Sequence, residues 1–375
     1  MSGSNTILQK RRGSKDNMIN IAKPLIGIEE QNAVKRVLES GMIACGPVTA
    51  EFEKNFADYV GTKHAISTTS GTTALHLGLM CLGINSSDEV IVPSFSFIAS
   101  VNPVLFCNAK PVFCDINPKT YNIDVNKIET LITEKTKAII PVHLYGQPAE
   151  MKPIIEIAER NNLKIIGDAC QAHGATYDNK MIGSFGDMEC FSFYPTKNMT
   201  TSEGGMITTN SDEIAELALS IRNHGREKTK WGYEHGRLGY NYRMTDITAA
   251  IGIEQLKKLP MFINKRRQNA KYFNENLKGL ETPFLIENAE HAYHQYTVKC
   301  EKRDILIDAL KKNEIGFGIY YPKPLHHFDH LKQFSHDDLQ NSEQICNKIL
   351  SIPVHPGLTN EDIEKIINVI NGVYQ

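Results

Sequence analysis

The chemistry of this chain starts from a lysine and an aspartate, each placed beside an apolar run. Lys197 lies in Phe191-Ser192-Phe193-Tyr194-Pro195-Thr196-Lys197-Asn198, just ahead of Glu203-Gly204-Gly205. Asp168 closes an apolar run in Gly167-Asp168-Ala169-Cys170-Gln171-Ala172-His173. A lysine amine forms an imine with an aldehyde, and a carboxylate keeps a pyridine nitrogen protonated so that the ring acts as an electron sink. Those are the two demands of pyridoxal phosphate (PLP) chemistry. Taken singly, each residue has a plainer account, since most lysines are exposed and aspartates often cap helices. Their pairing is what argues for chemistry.

A third element is Thr69-Ser70-Gly71-Thr72-Thr73-Ala74-Leu75-His76-Leu77-Gly78-Leu79. Ser70 and Gly71 precede a helical run. Free N–H groups and the helix dipole make such an N-terminus a phosphate site, with the Thr72 and Thr73 hydroxyls as extra donors. A simple N-cap by Ser70 or Thr72 accounts for the same residues.

These groups need a scaffold that brings them together. Strands are expected at His64–Ser67, Glu89–Val92, Pro111–Asp115, Ala138–His143, Lys164–Asp168, Met188–Phe193 and Met206–Thr209. Helices are expected at Thr72–Leu82, Pro103–Cys107, Val125–Ile132, Ala149–Asn161 and Asp212–Arg222. Alternation of this kind, with few hairpin signals, predicts an α/β fold with a mostly parallel sheet covered on both faces. Ligands of such sheets bind beyond the carboxyl ends of the strands. Asp168 ends one strand and Lys197 follows another, so both face one cleft.

Thr245 reads as the N-cap of a helix over Asp246–Leu259, and the pattern changes at Pro260. Beyond it come a helix at Asn264–Leu277, a strand at Tyr296–Lys299 and a helix at Arg303–Asn313. A strand at Gly318–Tyr321, a helix at Asn341–Ile349 and a last helix capped by Thr359 and Asp362 follow. The division is a large domain at 18–259 and a smaller α/β domain at 260–375. Residues 1–17 carry Lys10, Arg11, Arg12 and Lys15 without an apolar core. They read as a mobile extension, with Met18 as an alternative start.

A formal charge of −2 gives no field to draw nucleic acid or an anionic membrane. No apolar run approaches the roughly 20 residues of a membrane span. None of the eight cysteines forms a CxxC pair. They read as thiols of a reducing, cytoplasmic compartment. His326, His327 and His330 with Asp329 suggest a metal site, but no further ligand spacing supports one, and the metal-free reading is preferred.

With these residues assembled, the chain resembles the DegT/DnrJ/StrS family of sugar aminotransferases, from about Ile21 to Val373. The matches include Gly41-Met42-Ile43-Ala44-Cys45-Gly46-Pro47, Ser70 through Leu75, Pro141-Val142-His143-Leu144-Tyr145-Gly146, Asp168 through His173 and Ser192 through Gly205. Glu51-Phe52-Glu53, Gly239-Tyr240-Asn241-Tyr242-Arg243-Met244, Tyr321-Pro322-Lys323-Pro324-Leu325-His326 and Pro353-Val354-His355-Pro356-Gly357-Leu358 complete them. The resemblance implies the fold-type I PLP-dependent transferase architecture. It implies Lys197 as imine lysine and proton carrier, and Asp168 on the pyridine nitrogen. Gln171 would meet the ring near its phenolic oxygen and Phe97 would stack on it. Thr72, Thr73 and Ser192 would hold the phosphate. Asn241 would reach that phosphate from the other subunit, which implies a homodimer with shared sites. His326, Tyr321, Arg226 and Arg243 are candidates for substrate binding. The implied reaction moves an amino group from glutamate, leaving 2-oxoglutarate, to a nucleotide-linked keto sugar. A 4-keto-6-deoxyhexose is preferred and a 3-keto sugar is the alternative. A PLP-binding regulator without catalysis would be expected to lose Lys197 or Asp168, and both are present. A cysteine desulfurase would need a nucleophilic cysteine on a mobile loop, and none is evident.

Overall fold

The β-branched runs become strands because their side chains are buried on both faces. The computed structural model describes residues 18–336 and 338–375, so the extension expected at 1–17 lies outside the described residues. The strands are β1 (His64–Thr68), β2 (Glu89–Pro93), β3 (Lys110–Cys114), β4 (Thr136–Ile139), β5 (Lys164–Asp168), β6 (Thr176–Tyr177), β7 (Lys180–Met181), β8 (Met188–Ser192) and β9 (Gly205–Thr209). Seven of them form one sheet in the order β1-β9-β8-β5-β4-β2-β3. The pairs β2–β3, β2–β4, β4–β5 and β5–β8 are parallel, and β9 runs against both neighbours. This is the mostly parallel sheet that the alternation predicted.

Helices α1 (Ile28–Ser40), α2 (Pro47–Val60), α3 (Gly71–Cys81), α4 (Asn102–Phe106), α5 (Val125–Ile128), α6 (Met151–Asn161), α7 (Asp212–Ile221) and α8 (Asp246–Asn276) accompany it. Successive strand residues alternate between two cores. Ile165 and Phe191 join Phe52, Phe56 and Ile154 on one face. Ile166 and Cys190 join Leu75, Leu79 and Ile214 on the other. Every residue of β2 is buried, as a doubly covered strand requires. The strand expected to continue to His143 stops at Ile139. Pro141 has no N–H to extend the ladder, although its carbonyl still accepts from Asp168 N–H at 2.8 Å.

The break expected at Pro260 does not occur. α8 passes through Pro260 without interruption. A proline inside a helix costs about 3 kcal/mol or more. Burial of Leu256, Leu259, Phe262 and Ile263 on either side offsets that cost. The proposed division at 259/260 therefore falls inside one helix, whose first half packs in the sheet's core and whose second half helps build another core.

A hairpin of β10 (Arg226–Thr229) and β11 (Gly232–His235) stands between α7 and α8. Past α8 come β12 (Ala289–Glu290), which pairs with β6, and β13 (Tyr296–Lys299). They are followed by α9 (Arg303–Lys312), α10 (Gln340–Ile345), β14 (Ile349–Ile352) and α11 (Asn360–Tyr374). β13 pairs antiparallel with β14, not with a strand at Gly318–Tyr321, where only Gly318 bridges to Ser351. The helix expected to reach Ile349 ends at Ile345. Ile349–Ile352 is a short apolar run just before Pro353, which favours extended backbone. Phe273, Tyr296, Leu306, Leu350, Ile352 and Ile366 form this third core. The capping box of Thr359 and Asp362 is present as expected. Among the described residues, no helix is long and apolar enough to cross a membrane.

Candidate active site

Parallel strands deliver their carboxyl ends to one edge, and four segments meet there. β5 ends on Asp168, β8 ends on Ser192, β2 leads into Ser94–Phe97, and α3 begins beside them. The cleft between them has a volume of about 470 Å³, and Thr72, Phe97, Asp168, Gln171, Ser192, Lys197 and Tyr321 all line it.

Lys197 is carried by a loop that is tied at its base. Phe193 N–H donates to Gly204 O at 2.9 Å, and Thr201 N–H donates to Phe193 O at 3.1 Å. The Thr200 hydroxyl donates to the same Phe193 carbonyl at 2.7 Å. Asn198 Nδ2 holds the loop's flank through the carbonyls of His173 and Ala292. Burial draws the Lys197 amine below the ordinary lysine range, while Cys170 and Asp168 act in the opposite direction without cancelling it. A lowered amine is neutral, and so nucleophilic, nearer to physiological pH.

The Asp168 carboxylate accepts from Cys170 N–H at 3.2 Å and from the Ser100 hydroxyl at 2.6 Å. Gln171 is oriented just as firmly. Its Oε1 accepts from Tyr145 N–H at 2.8 Å, so Nε2 is the donor that faces the cleft, where it reaches Tyr321 Oη at 3.2 Å. The rings of Phe97 and Tyr321 lie 5.8 Å apart, tilted by 36°. Phe97 is 51% exposed, a large apolar face open to a ligand.

The N-terminus of α3 presses against the strand ends. A Cβ on Gly71 would stand 2.7 Å from Cys170 Sγ and 2.8 Å from Ser192 Cβ, so only glycine fits there. Ser70 caps the helix through Thr73 N–H at 3.2 Å. The Thr73 hydroxyl in turn accepts from Ser70 N–H and bonds Ser70 O, both at 2.9 Å. Thr73, expected beside Thr72 at the phosphate, thus has its hydroxyl engaged in the cap. Of these two, Thr72 lines the cleft. The first N–H groups of a helix lack intrahelical acceptors, and the cap uses only that of Thr73.

Four other expected residues lie outside this cleft. His326 is buried with Nδ1 against Ser94 Oγ, and its Nε2 is 3.2 Å from Glu343 Oε1. It therefore fastens its turn to the Ser94–Phe97 segment and does not line the cleft. His327 Nε2 shares the same Glu343 oxygen at 3.2 Å, and the three ligand-type atoms lie within 4.8 Å of one another. His330 instead faces Asn102 Oδ1 at 3.3 Å. Asn241 bridges Asn223, whose Oδ1 accepts from Arg243 Nη1 at 2.8 Å. Arg226 lies over the Tyr233 ring at 4.1 Å in the β10–β11 hairpin.

Sequence reasoning missed several cleft residues: Tyr194, Glu203, His294, Gln295 and Tyr320. His294 is buried, and burial together with the Lys197 charge holds its imidazole well below the ordinary range. It precedes β13, and no periodicity marks it. Only the return of that segment to the sheet edge brings it in.

PLP fits this donor set. The N-terminus of α3 with Thr72 and Ser192 suits a phosphate, Asp168 suits a pyridine nitrogen, the cleft-facing Nε2 of Gln171 suits a phenolic oxygen, and Phe97 offers a flat apolar face. When bound, the cofactor supplies the electron sink for chemistry at an amine-bearing carbon. Fold and site together define a PLP-dependent aminotransferase of fold type I. A model of the DegT/DnrJ/EryC1/StrS aminotransferase family matches residues 24–371, and the chain belongs to that family. It is 41% identical over 364 residues to the GDP-perosamine synthase of Caulobacter vibrioides, covering 95% of this chain and 98% of that one. It is 38% identical over 343 residues to the UDP-N-acetyl-3-dehydro-alpha-D-glucosamine 3-aminotransferase of Acidithiobacillus ferrooxidans, covering 90% and 91%. DesV of S. venezuelae, solved in complex with a ketimine intermediate, superposes with a TM-score of 0.89 at 34% identity, covering 93% of this chain and 95% of that one.

Proposed function

We propose that this enzyme transfers an amino group from L-glutamate to a nucleotide-linked keto sugar in amino-sugar and surface-polysaccharide biosynthesis. The preferred acceptor is a 4-keto-6-deoxyhexose. The observation that carries the reading is Lys197 on the floor of a cleft walled by Thr72, Gln171, Gln295 and Tyr321, with no arginine among the described lining residues. A general amino-acid aminotransferase clamps its substrate's carboxylate bidentately with arginine. Here the hydroxyls and amides suit a sugar instead. In each half-reaction Lys197 Nζ moves the proton at the amine-bearing carbon, taking it from the donor and later returning one to the acceptor carbon. A 3-keto acceptor is the second reading, and it is favoured by the relative named for a 3-dehydro sugar.

The active unit in this proposal is a homodimer. Asn241, Arg243 and Arg226 lie outside their own chain's cleft, and Asn241 and Arg226 are exposed. From a second copy they would meet the cofactor phosphate and the sugar's diphosphate. The test is incubation of the PLP-loaded protein with glutamate and a panel of nucleotide-linked 3-keto and 4-keto sugars. Amination of a 4-keto sugar is expected. Efficient exchange between ordinary amino acids and keto acids, with no sugar converted, would overturn the proposal.

A further inference from the structure

We propose that Ser100, backed by Ser96, is a positioning residue that holds the Asp168 carboxylate ionised and fixes its rotation. The proposal rests on the reading of Asp168 as the partner of the pyridine nitrogen. Ser100 Oγ is 2.6 Å from Asp168 Oδ2, and Ser96 Oγ is 2.7 Å from Ser100 Oγ. A hydroxyl has one proton to give, and an ionised carboxylate only accepts. Ser100 therefore donates to Asp168, which leaves Ser96 as the donor to Ser100. The carboxylate sets the direction of the whole relay.

The relay is largely shielded from bulk water, since Ser96, Ser100 and Asp168 are only 2%, 0% and 6% exposed. In such surroundings successive hydrogen bonds polarise one another. The local fold also ties the relay to the cleft. Ser100 closes the one-turn 3-10 segment Ile98–Ser100, and its N–H donates to Phe97 O at 3.0 Å. The turn that offers the Phe97 ring to the cleft is thus the turn that brings Ser100 to Asp168.

The chemical consequence concerns one proton. Between a pyridine nitrogen and a carboxylate, the proton can rest on either atom. Donors to the carboxylate favour its ionised form and leave the proton on nitrogen. The remaining donor, Cys170 N–H, is longer at 3.2 Å and serves the other oxygen. Without Ser100, Oδ2 loses its short donor and the proton moves toward oxygen.

The test uses full-length protein loaded with PLP labelled with 15N at the ring nitrogen. Borohydride labelling of Lys197 verifies loading in each variant. Ser100→Ala should keep the cofactor on Lys197 and shift the ring 15N resonance toward the unprotonated position. Its kcat should fall about tenfold to a hundredfold, the rate equivalent of one charge-assisted hydrogen bond. Ser96→Ala should move the resonance the same way by less, and Ser100→Thr should restore it. A loaded Ser100→Ala protein with the parental resonance overturns the relay. If that variant does not load, Ser96→Ala decides by the same criterion. Asp168→Asn separates the two ideas. If it leaves the ring nitrogen protonated, the role of Asp168 itself is wrong, whatever the serines do.

Discussion

Asp246 on α8 caps α2 by bonding Thr49 twice, at 2.9 Å to its N–H and 2.5 Å to its hydroxyl. The same carboxylate accepts from Gly46 N–H at 2.8 Å and Val48 N–H at 3.2 Å. Gly46 stands at the N-cap position of α2 and has no side chain to serve there. A residue 200 positions away supplies the cap instead. Asp246→Ala should lower stability by about 2–3 kcal/mol, since it removes a helix cap made by charge-assisted hydrogen bonds. The midpoint of chemical denaturation would report this, and an unchanged midpoint would contradict it.

Cofactor attachment can be mapped directly. Borohydride treatment of the PLP-loaded enzyme should fix the cofactor on the peptide that contains Lys197. The lowered amine and the tied loop both point to this lysine. A label on any other lysine would refute its role.

A shared dimer site, as proposed, predicts complementation. Lys197→Ala and an Asn241 variant that is inactive alone should regain activity when their subunits exchange. One of the two sites in a mixed dimer is then intact. Verified mixed dimers that stay inactive would rule out a cross-subunit role for Asn241.

Acid should destabilise the PLP-free protein steeply. Burial holds His173 and His291 down at about 3 and His355 at about 4, against an ordinary 6.5. Positive charge on Lys197, Arg267 and Arg266 adds to the effect in His173, His291 and His355 respectively. Below pH 6.5 the unfolded chain takes up protons that these rings still refuse. Stability from these groups is therefore fully present above pH 6.5 and is lost as pH falls toward 3–4, at roughly 1.4 kcal/mol per ring per pH unit. Denaturation midpoints that stay flat from pH 7 to pH 4.5 would show that the rings are not buried and neutral.

Much of the candidate site's lining was legible because strand ends and helix starts are written locally. Asp168 and Ser192 close apolar runs, and Ser70-Gly71 opens a helix, so parallel strands alone bring them together. Thr73 was not separable from Thr72, because the reciprocal cap with Ser70 depends on hydroxyl direction. The direction of His326 was not legible either, because its two nitrogens face Ser94 and Glu343, which are 232 and 17 residues away. Ser100 carried no signal, since its importance lies in meeting a carboxylate 68 residues away. Pro260 misled for a different reason. Local propensity favoured a break there, and burial on both sides of the proline outweighed it.

The unbroken passage of α8 through Pro260 also bears on how the molecule comes apart. One helix contributes Leu256 and Leu259 to the core around the sheet and Phe273 to the core around β13 and β14. Loss of either core strips packing from a helix that the other needs. Melting should therefore be cooperative across the chain, with a single calorimetric peak whose van't Hoff and calorimetric enthalpies agree within each folded subunit. A fragment cut at residue 259 or 260 would expose half a helix and should not hold its fold alone.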